Sequence, residues 1–117
     1  LSDNNISDLT PLAGLANLTW LRLEENNISD LTPLTGLSNL TELILGVNNI
    51  SDVTPLAGLT NLTELDLWHN NITDISPLAD PSLFSEFSTL FLNFNNIFSA
   101  SQKAMLEEAL PSTSIYW

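Results

Sequence analysis

Four aspartates of this chain recur at a constant interval, and a column of carboxylates is a pattern that could bind a cation. They are Asp8, Asp30, Asp52 and Asp74. Metal sites for hard cations combine carboxylates with other oxygen ligands, and nothing of mixed ligand type accompanies this column. We therefore expect each aspartate to accept hydrogen bonds from backbone N–H groups of the turn that follows it. No metal site is expected here.

The other residues with acid–base chemistry do not form a catalytic arrangement. His69 is the single histidine, and it is either a contact at the edge of a binding surface or a solvated residue. Glu24 and Glu25, like Glu107 and Glu108, are adjacent in sequence, so their side chains point in different directions. No glycine-rich loop that could hold a phosphate is present. The sequence predicts no enzyme, no cofactor and no metal.

The charge balance of the 117-residue chain restricts its partners. Fourteen acidic residues stand against Arg22 and Lys103, which gives a net charge of −12. Such a chain repels phosphate backbones and anionic lipid, so nucleic acid is not expected as a partner, whereas a basic protein surface would be attracted. The sequence contains no run of 18 apolar residues, so membrane insertion is not expected. With no cysteine, the sequence indicates no redox compartment.

The strongest pattern is a repeat of constant length. Full units cover residues 4–25, 26–47 and 48–69, a fourth covers 70–94 with three extra residues, and half a unit precedes the first. Each carries L-x-x-L-x-L-x-x-N-x-I, the leucine-rich repeat signature. The L-x-L part predicts a short strand with alternating side chains, and stacked copies bury a continuous core. The recurring asparagine is expected to bond buried backbone groups; these residues are Asn26, Asn48, Asn70 and Asn95.

The opposite side of each unit carries a Thr-Pro-Leu or Ser-Pro-Leu triplet. The hydroxyl residue suits a helix N-cap and the proline suits the first helical position; the residues concerned are Thr10, Thr32, Thr54 and Ser76, with Pro11, Pro33, Pro55 and Pro77. A glycine follows each of the first three prolines at a distance of three residues, so the helical turn is short. We predict a 3-10 turn in each unit.

These units resemble the 22-residue repeats of bacterial internalin-type leucine-rich repeat proteins, over about residues 1–97. The resemblance implies a curved solenoid with a parallel β-sheet on the concave face and 3-10 turns on the convex face. Members of that family are typically surface-attached or secreted bacterial proteins that bind a host protein with the concave face, and the resemblance suggests an extracellular or cell-surface location. Host-cell adhesion does not follow from it. The chain departs from the family in having no helical N-terminal cap and no immunoglobulin-like segment after the repeats. It begins inside the repeat pattern with no secretory signal, so we expect a fragment or mature piece of a longer protein.

We divide the chain into repeats at 1–97 and a C-terminal cap at 98–117. A helix is expected at about 101–110, capped by Ser99 or Ser101 and ended by Pro111, with Ala104, Leu106 and Leu110 as its apolar positions. Phe84, Phe87 and Phe98 are expected in the core of this cap. The edge at Leu1 has no cap, which favours pairing with another copy or another chain.

The units differ from one another mainly at the outward positions of the strand and just after it. Convex differences are confined to Ala, Ser and Thr, so free drift explains the contrast less well than recognition does. The expected ligand-binding residues are Trp20, Arg22, Glu24, Glu42, Ile44, Val47, Glu64, Asp66, Trp68, His69, Phe91 and Phe94. Trp20, Arg22 and Trp68 are the expected anchors of an apolar patch with an acidic rim. The sequence favours a protein-binding module, with a carbohydrate-binding surface and a structural or engineered scaffold fragment as alternatives.

Overall fold

The computed structural model describes residues 1–82, 86–96 and 98–117, and its main element is a five-stranded parallel sheet. The strands are β1 (Trp20–Arg22), β2 (Glu42–Ile44), β3 (Glu64–Asp66), β4 (Thr89–Phe91) and β5 (Ser114–Tyr116). They lie side by side in chain order. Each of the first four strands belongs to one repeat, so each repeat is one coil of a leucine-rich repeat solenoid. The predicted fold class is confirmed.

The core consists of the leucine and isoleucine positions that the repeat pattern places on the inner side. The central residues of the strands, Leu21, Leu43, Leu65 and Leu90, lie opposite one another in the register and are buried. Similar columns continue through the rest of each coil. Since a fully buried leucine contributes roughly 1.5–3 kcal/mol, stacking coils supplies the stability that one coil cannot.

Asparagines after the strands hold neighbouring coils together, as predicted. Asn48 is buried, and its Oδ1 accepts a hydrogen bond from the backbone N–H of Ile28 at 2.9 Å. Its Nδ2 donates to the carbonyl oxygens of Leu23 and Leu45, both at 3.0 Å. The same arrangement recurs in the other coils, through Asn26, Asn70 and Asn95. Each side chain therefore satisfies backbone groups of the repeat unit that it directly follows and of the unit before that one.

A 3-10 turn lies on the convex side of each coil. The turns span Thr10–Leu12, Thr32–Leu34, Thr54–Leu56 and Ser76–Leu78. The predicted N-cap role of Thr10, Thr32, Thr54 and Ser76 is wrong, because each is the first residue of its turn and no side chain at the preceding cap position makes a capping bond. Proline is consequently the second residue of the turn, where its fixed φ still suits the geometry.

The aspartate column provides the missing cap, and its predicted role is confirmed. Oδ1 of Asp30 accepts a hydrogen bond from the backbone N–H of Thr32 at 2.9 Å. The same contact recurs at the same distance in the other coils, through Asp8, Asp52 and Asp74. Hydrogen bonds from the side chain and backbone of Thr32 lower the pKa of Asp30, because they stabilise the charged form.

The C-terminal segment covers the last coil with a helix and a further strand. Helix α1 (Ala100–Ala109) begins one residue earlier than expected, and the Ser99 hydroxyl accepts a hydrogen bond from the Gln102 N–H. Gln102 also bonds the fourth coil, since its amide group contacts Ile75 N–H and Thr73 O at 3.1 Å each. Leu106 and Leu110 are buried, whereas Ala104 is exposed.

Aromatic residues also pack in this cap. Phe87 and Phe98 are buried, as expected of core residues, and the Phe98 ring meets Trp117 edge to face at 5.8 Å. The third expected member, Phe84, lies outside the described residues, as does Ile97 of the fourth repeat. Strand β5, by contrast, was not predicted; it pairs with β4 in parallel and extends the sheet by one position.

Candidate functional site

The outward side chains of the strands form rows across the concave face, because parallel strands in register place equivalent residues side by side. The first row is Trp20, Glu42, Glu64, Thr89 and Ser114, and the second is Arg22, Ile44, Asp66, Phe91 and Tyr116. Backbone hydrogen bonds continue the register past the strands, which gives a third row of Glu24, Gly46, Trp68 and Asn93. We call these rows the concave face. The next residues, Glu25, Val47, His69 and Phe94, form its rim.

The rim has a backbone conformation that the sequence analysis missed. Glu25, Val47, His69 and Phe94 all have positive φ, between 51° and 59°, as does Asp3 in the half unit at 56°. This left-handed region is unfavourable for residues with a Cβ, and Val47 is β-branched. Since the strain recurs in every coil, it belongs to the turn that leads into the asparagine ladder. The shared position of these residues before each ladder asparagine was the available signal.

Trp68 lies in the third row and its indole ring covers the backbone of Gly46. A Cβ added to Gly46 would overlap Cδ1 and Nε1 of that ring. Trp68 also meets the rings of His69 and Phe94 edge to face, at centroid distances of 5.8 Å and 6.2 Å. The missing side chain at Gly46 thus lets the Cδ1–Nε1 edge of a half-buried tryptophan ring approach the second coil. Gly46 and Trp68 occupy equivalent positions of neighbouring coils, and the presence of the large residue depends on the absence of a side chain at the other.

Phe91 stacks on Tyr116 at the other end of the sheet. Their ring centroids are 4.7 Å apart and the planes differ by 15°. Tyr116 was not among the predicted site residues, because the sequence analysis did not find β5. The alternation of Ser114, Ile115 and Tyr116, which matches Thr89, Leu90 and Phe91 in the register, was the signal. The aromatic surface therefore extends one strand further than expected.

The charges on the concave face are unevenly neutralised. Arg22 Nη2 lies 2.8 Å from Glu42 Oε1, and this hydrogen bond and the charge of Glu42 raise the pKa of the guanidinium. Burial raises the pKa of Asp66, an effect partly offset by a hydrogen bond from the Trp68 N–H to Oδ1 at 2.9 Å and reinforced by the charge of Glu64. Arg22 and Lys103 are the only basic side chains apart from His69, and Lys103 lies on α1, so the face is strongly acidic.

The predicted site residues do not all behave as one exposed patch. Trp20 is 62% exposed and Phe94 is 71% exposed, whereas Ile44 is only 9% exposed. Ile44 was expected to contribute exposed apolar surface, and this is wrong. It lies in the register between Arg22 and Asp66, whose strands flank it on both sides. Val47 and Trp68 are half-buried.

A shallow depression of about 340 Å³ is lined by Trp20, Arg22 and Glu42. Within the described residues, no group of three or more histidine, aspartate or glutamate side chains could hold a metal ion. In the same part of the chain, no helix has the length and apolarity needed to cross a membrane.

The first coil is less covered than the others. Leu15 is exposed, although the equivalent Leu37 and Leu59 of the next coils are fully buried. Backbone bonds from Asp3 and Asn4 to Glu24 and Glu25 hold the half unit against this coil. Pairing of this edge with another chain stays a prediction.

Fold and face together define a parallel-sheet solenoid whose variable residues lie on one concave surface, the architecture of leucine-rich repeat modules. The family model for leucine-rich repeats (2 copies) matches residues 16–58 and 38–80, which together exceed half of the chain. The chain therefore belongs to the leucine-rich repeat family, and it is a bacterial internalin-type member. Folds of this type are typical of non-enzymatic protein-interaction modules. A search of curated protein sequences found no match.

Solved structures show which proteins it is similar to. An internalin (inlF) of Listeria monocytogenes is 34% identical with a TM-score of 0.84, over 97% of this chain and 34% of its own. Internalin C2 of the same species is 44% identical with a TM-score of 0.80, over 95% of this chain and 47% of its own. A leucine-rich repeat protein of Leptospira interrogans is 26% identical with a TM-score of 0.87, over all of this chain and 30% of its own. This chain thus spans less than half the length of each.

Proposed function

We propose that this chain binds a protein ligand through the concave face, with Trp20, Arg22 and Trp68 as its main contacts. One observation carries the proposal. Among the described residues, every exposed aromatic side chain lies on this face or its rim: Trp20, Phe94 and Tyr116. An exposed aromatic surface costs solvation free energy, so its concentration on one side of the molecule favours an interface.

The contacts available suit a protein surface. Tryptophan, tyrosine and arginine contribute most of the binding free energy in many protein interfaces, and Arg22 lies in the same depression as Trp20. The surrounding carboxylates favour a partner with a basic surface, because opposite charges speed the encounter and disfavour acidic partners. By its likeness to internalins, we propose that the protein acts on or outside a bacterial cell.

The test compares variants on a protein array and a glycan array. We expect the wild-type chain to bind a restricted set of proteins, and the Trp20→Ala/Trp68→Ala double variant to lose at least tenfold in affinity for them, about 1.4 kcal/mol or more. Met105→Ala is the control, because Met105 is an exposed apolar residue of α1, outside the sheet. Binding that survives the double variant contradicts the proposal. Binding confined to glycans would instead support a carbohydrate-binding surface.

A further inference from the structure

The second row of the concave face holds a carboxylate with no cation beside it. Asp66 is half-buried, and in the register it lies between Ile44 of β2 and Phe91 of β4, both apolar. Its Oδ1 accepts the hydrogen bond from Trp68 N–H. Across the described part of the chain, Oδ2 has no hydrogen-bond partner. A half-buried carboxylate between apolar neighbours gains from a cation more than a solvated one does, because the local dielectric is lower.

Among the residues that the structure describes, none supplies that cation. Arg22 occupies the same row two strands away, but its guanidinium is engaged by Glu42 at 2.8 Å. The neighbours that act on Asp66 electrostatically are Glu64 and Glu24, which are both acidic. In the described residues, Oε2 of Glu24 and Oδ1 of Asn93 are also buried acceptors without a donor. Among the described residues, the second and third rows of the face thus hold several acceptors without a donor.

A flat aromatic surface lies beside the carboxylate. Phe91 is between Asp66 and Tyr116 in the row, and it stacks on Tyr116 with nearly parallel planes. The face of the Phe91 ring that is turned away from Tyr116 is therefore on the Asp66 side. A planar cation placed there would contact the ring through its face and the carboxylate through its edge.

We propose that Asp66 and this face of Phe91 form a seat for an arginine side chain of the protein partner, an inference that rests on the proposed function. Arginine fits better than lysine for physical reasons. Its guanidinium is planar, less strongly hydrated than an ammonium group, and able to stack on a ring while it donates to a carboxylate. The acidic surroundings disfavour a carboxylate of the partner at the same place and attract a basic segment of the partner to the face.

The test uses a library of random dodecapeptides displayed on phage and selected against the wild-type chain. Peptides whose binding is lost with Trp68→Ala are those that occupy the concave face. We expect arginine to be enriched in these peptides. We also expect Asp66→Asn to weaken the selected peptides at least tenfold, and replacement of their arginine by lysine to weaken binding several-fold.

Glu108→Gln is the control, because it removes the same carboxylate charge from an exposed position of α1, outside the sheet. We expect it to weaken binding less than threefold. Equal losses of affinity for Asp66→Asn and Glu108→Gln would show that only the overall charge matters, and would contradict the proposed arginine site. Thermal unfolding of each variant verifies that it is folded; the asparagine retains an oxygen for the Trp68 N–H.

The two proposals can fail separately. If selected peptides depend on Trp68 but show no enrichment in arginine and no loss with Asp66→Asn, the arginine seat is wrong and the binding face stands. If the selected peptides are indifferent to Trp68→Ala, binding does not use the concave face, and both proposals are wrong.

Discussion

The indole ring of Trp68 lies over Gly46, the residue that occupies the equivalent position one coil earlier. The two positions therefore depend on each other, although a whole repeat separates them in the sequence. A side chain at Gly46 and the observed position of the Trp68 ring are mutually exclusive. This relationship decides how much aromatic surface the face presents and in which direction.

Gly46→Ala is expected to displace the Trp68 ring and to lower the free energy of unfolding by about 1 kcal/mol, the lower end of the cost of overpacking. The displacement would appear as a changed chemical shift of the Trp68 indole N–H in NMR spectra, and the stability change in urea titrations. Gly36→Ala is the control, since a Cβ there meets nothing within 4 Å. An unchanged indole resonance in Gly46→Ala would contradict the observed packing.

Asn48→Ala is expected to destabilise the chain by about 3 kcal/mol, because it leaves several buried backbone groups without partners at a cost of roughly 1–3 kcal/mol each. Urea unfolding monitored by circular dichroism gives the value. Asn49→Ala tests the neighbouring exposed asparagine, whose side chain has no hydrogen bond among the described residues, and should change stability by less than about 0.5 kcal/mol. Similar losses for both variants would argue against the ladder.

Val47→Asn is expected to stabilise the chain by about 1 kcal/mol, because asparagine enters the left-handed region more readily than a β-branched residue. Val47 has a φ of 55°, and its side chain is only half-buried, so little packing is lost. The melting temperature and the urea midpoint should both rise. A decrease in either would mean that the packing of the Val47 side chain outweighs the backbone strain.

Asp66→Asn is expected to raise stability at neutral pH. Burial raises the pKa of Asp66 in the folded chain, so folding favours the protonated form and the ionised form opposes folding. The difference between variant and wild type should be small below the ordinary aspartate pKa of about 3.9. This difference in stability should grow as the pH rises above that value to the raised pKa that Asp66 has in the folded chain. At higher pH it should stay constant. Urea midpoints at pH 3 and pH 7 measure it, and a larger gain at pH 3 would reverse the sign of the argument.

The aspartates of the convex turns affect the pH dependence of stability in the opposite direction to Asp66. Hydrogen bonds from Thr54 lower the pKa of Asp52, so its contribution to stability is present above the ordinary aspartate pKa and is lost as the pH falls through the folded value. Asp52→Ala should therefore lower the melting temperature at pH 7 and have little effect near pH 2. A loss of equal size at both pH values would assign the effect to something other than the charge.

The repeat pattern was sufficient to predict the solenoid, the asparagine ladder and the aspartate turns. These features depend on residues that recur at fixed positions, and each is satisfied by backbone groups whose location the repeat itself determines. The predicted cap role of Thr32 was wrong because the turn already begins at Thr32, and the side chain that accepts a hydrogen bond at its start is Asp30, which bonds the Thr32 N–H. The 3-10 turn therefore begins at Thr32, one residue before the predicted first position, Pro33.

The concave face was less predictable, because its geometry depends on which side chains meet across coils. The burial of Ile44 results from its flanking strands, and the position of Trp68 results from the absence of a side chain at Gly46. Tyr116 was missed because β5 carries only part of the repeat signature. The positive φ of Val47 has no signal in its residue type, which normally avoids that conformation.

Each ladder asparagine bonds the repeat unit that it directly follows and the unit before that one: Asn70 donates to the carbonyl oxygens of Leu67 and Leu45, and its oxygen accepts from the N–H of Ile50. A block of one repeat length inserted between two such asparagines would therefore find every donor and acceptor already provided at its two junctions. Gene duplication can lengthen or shorten this protein in whole coils, and the span of surface offered to a ligand then changes in increments of one strand spacing, about 4.8 Å.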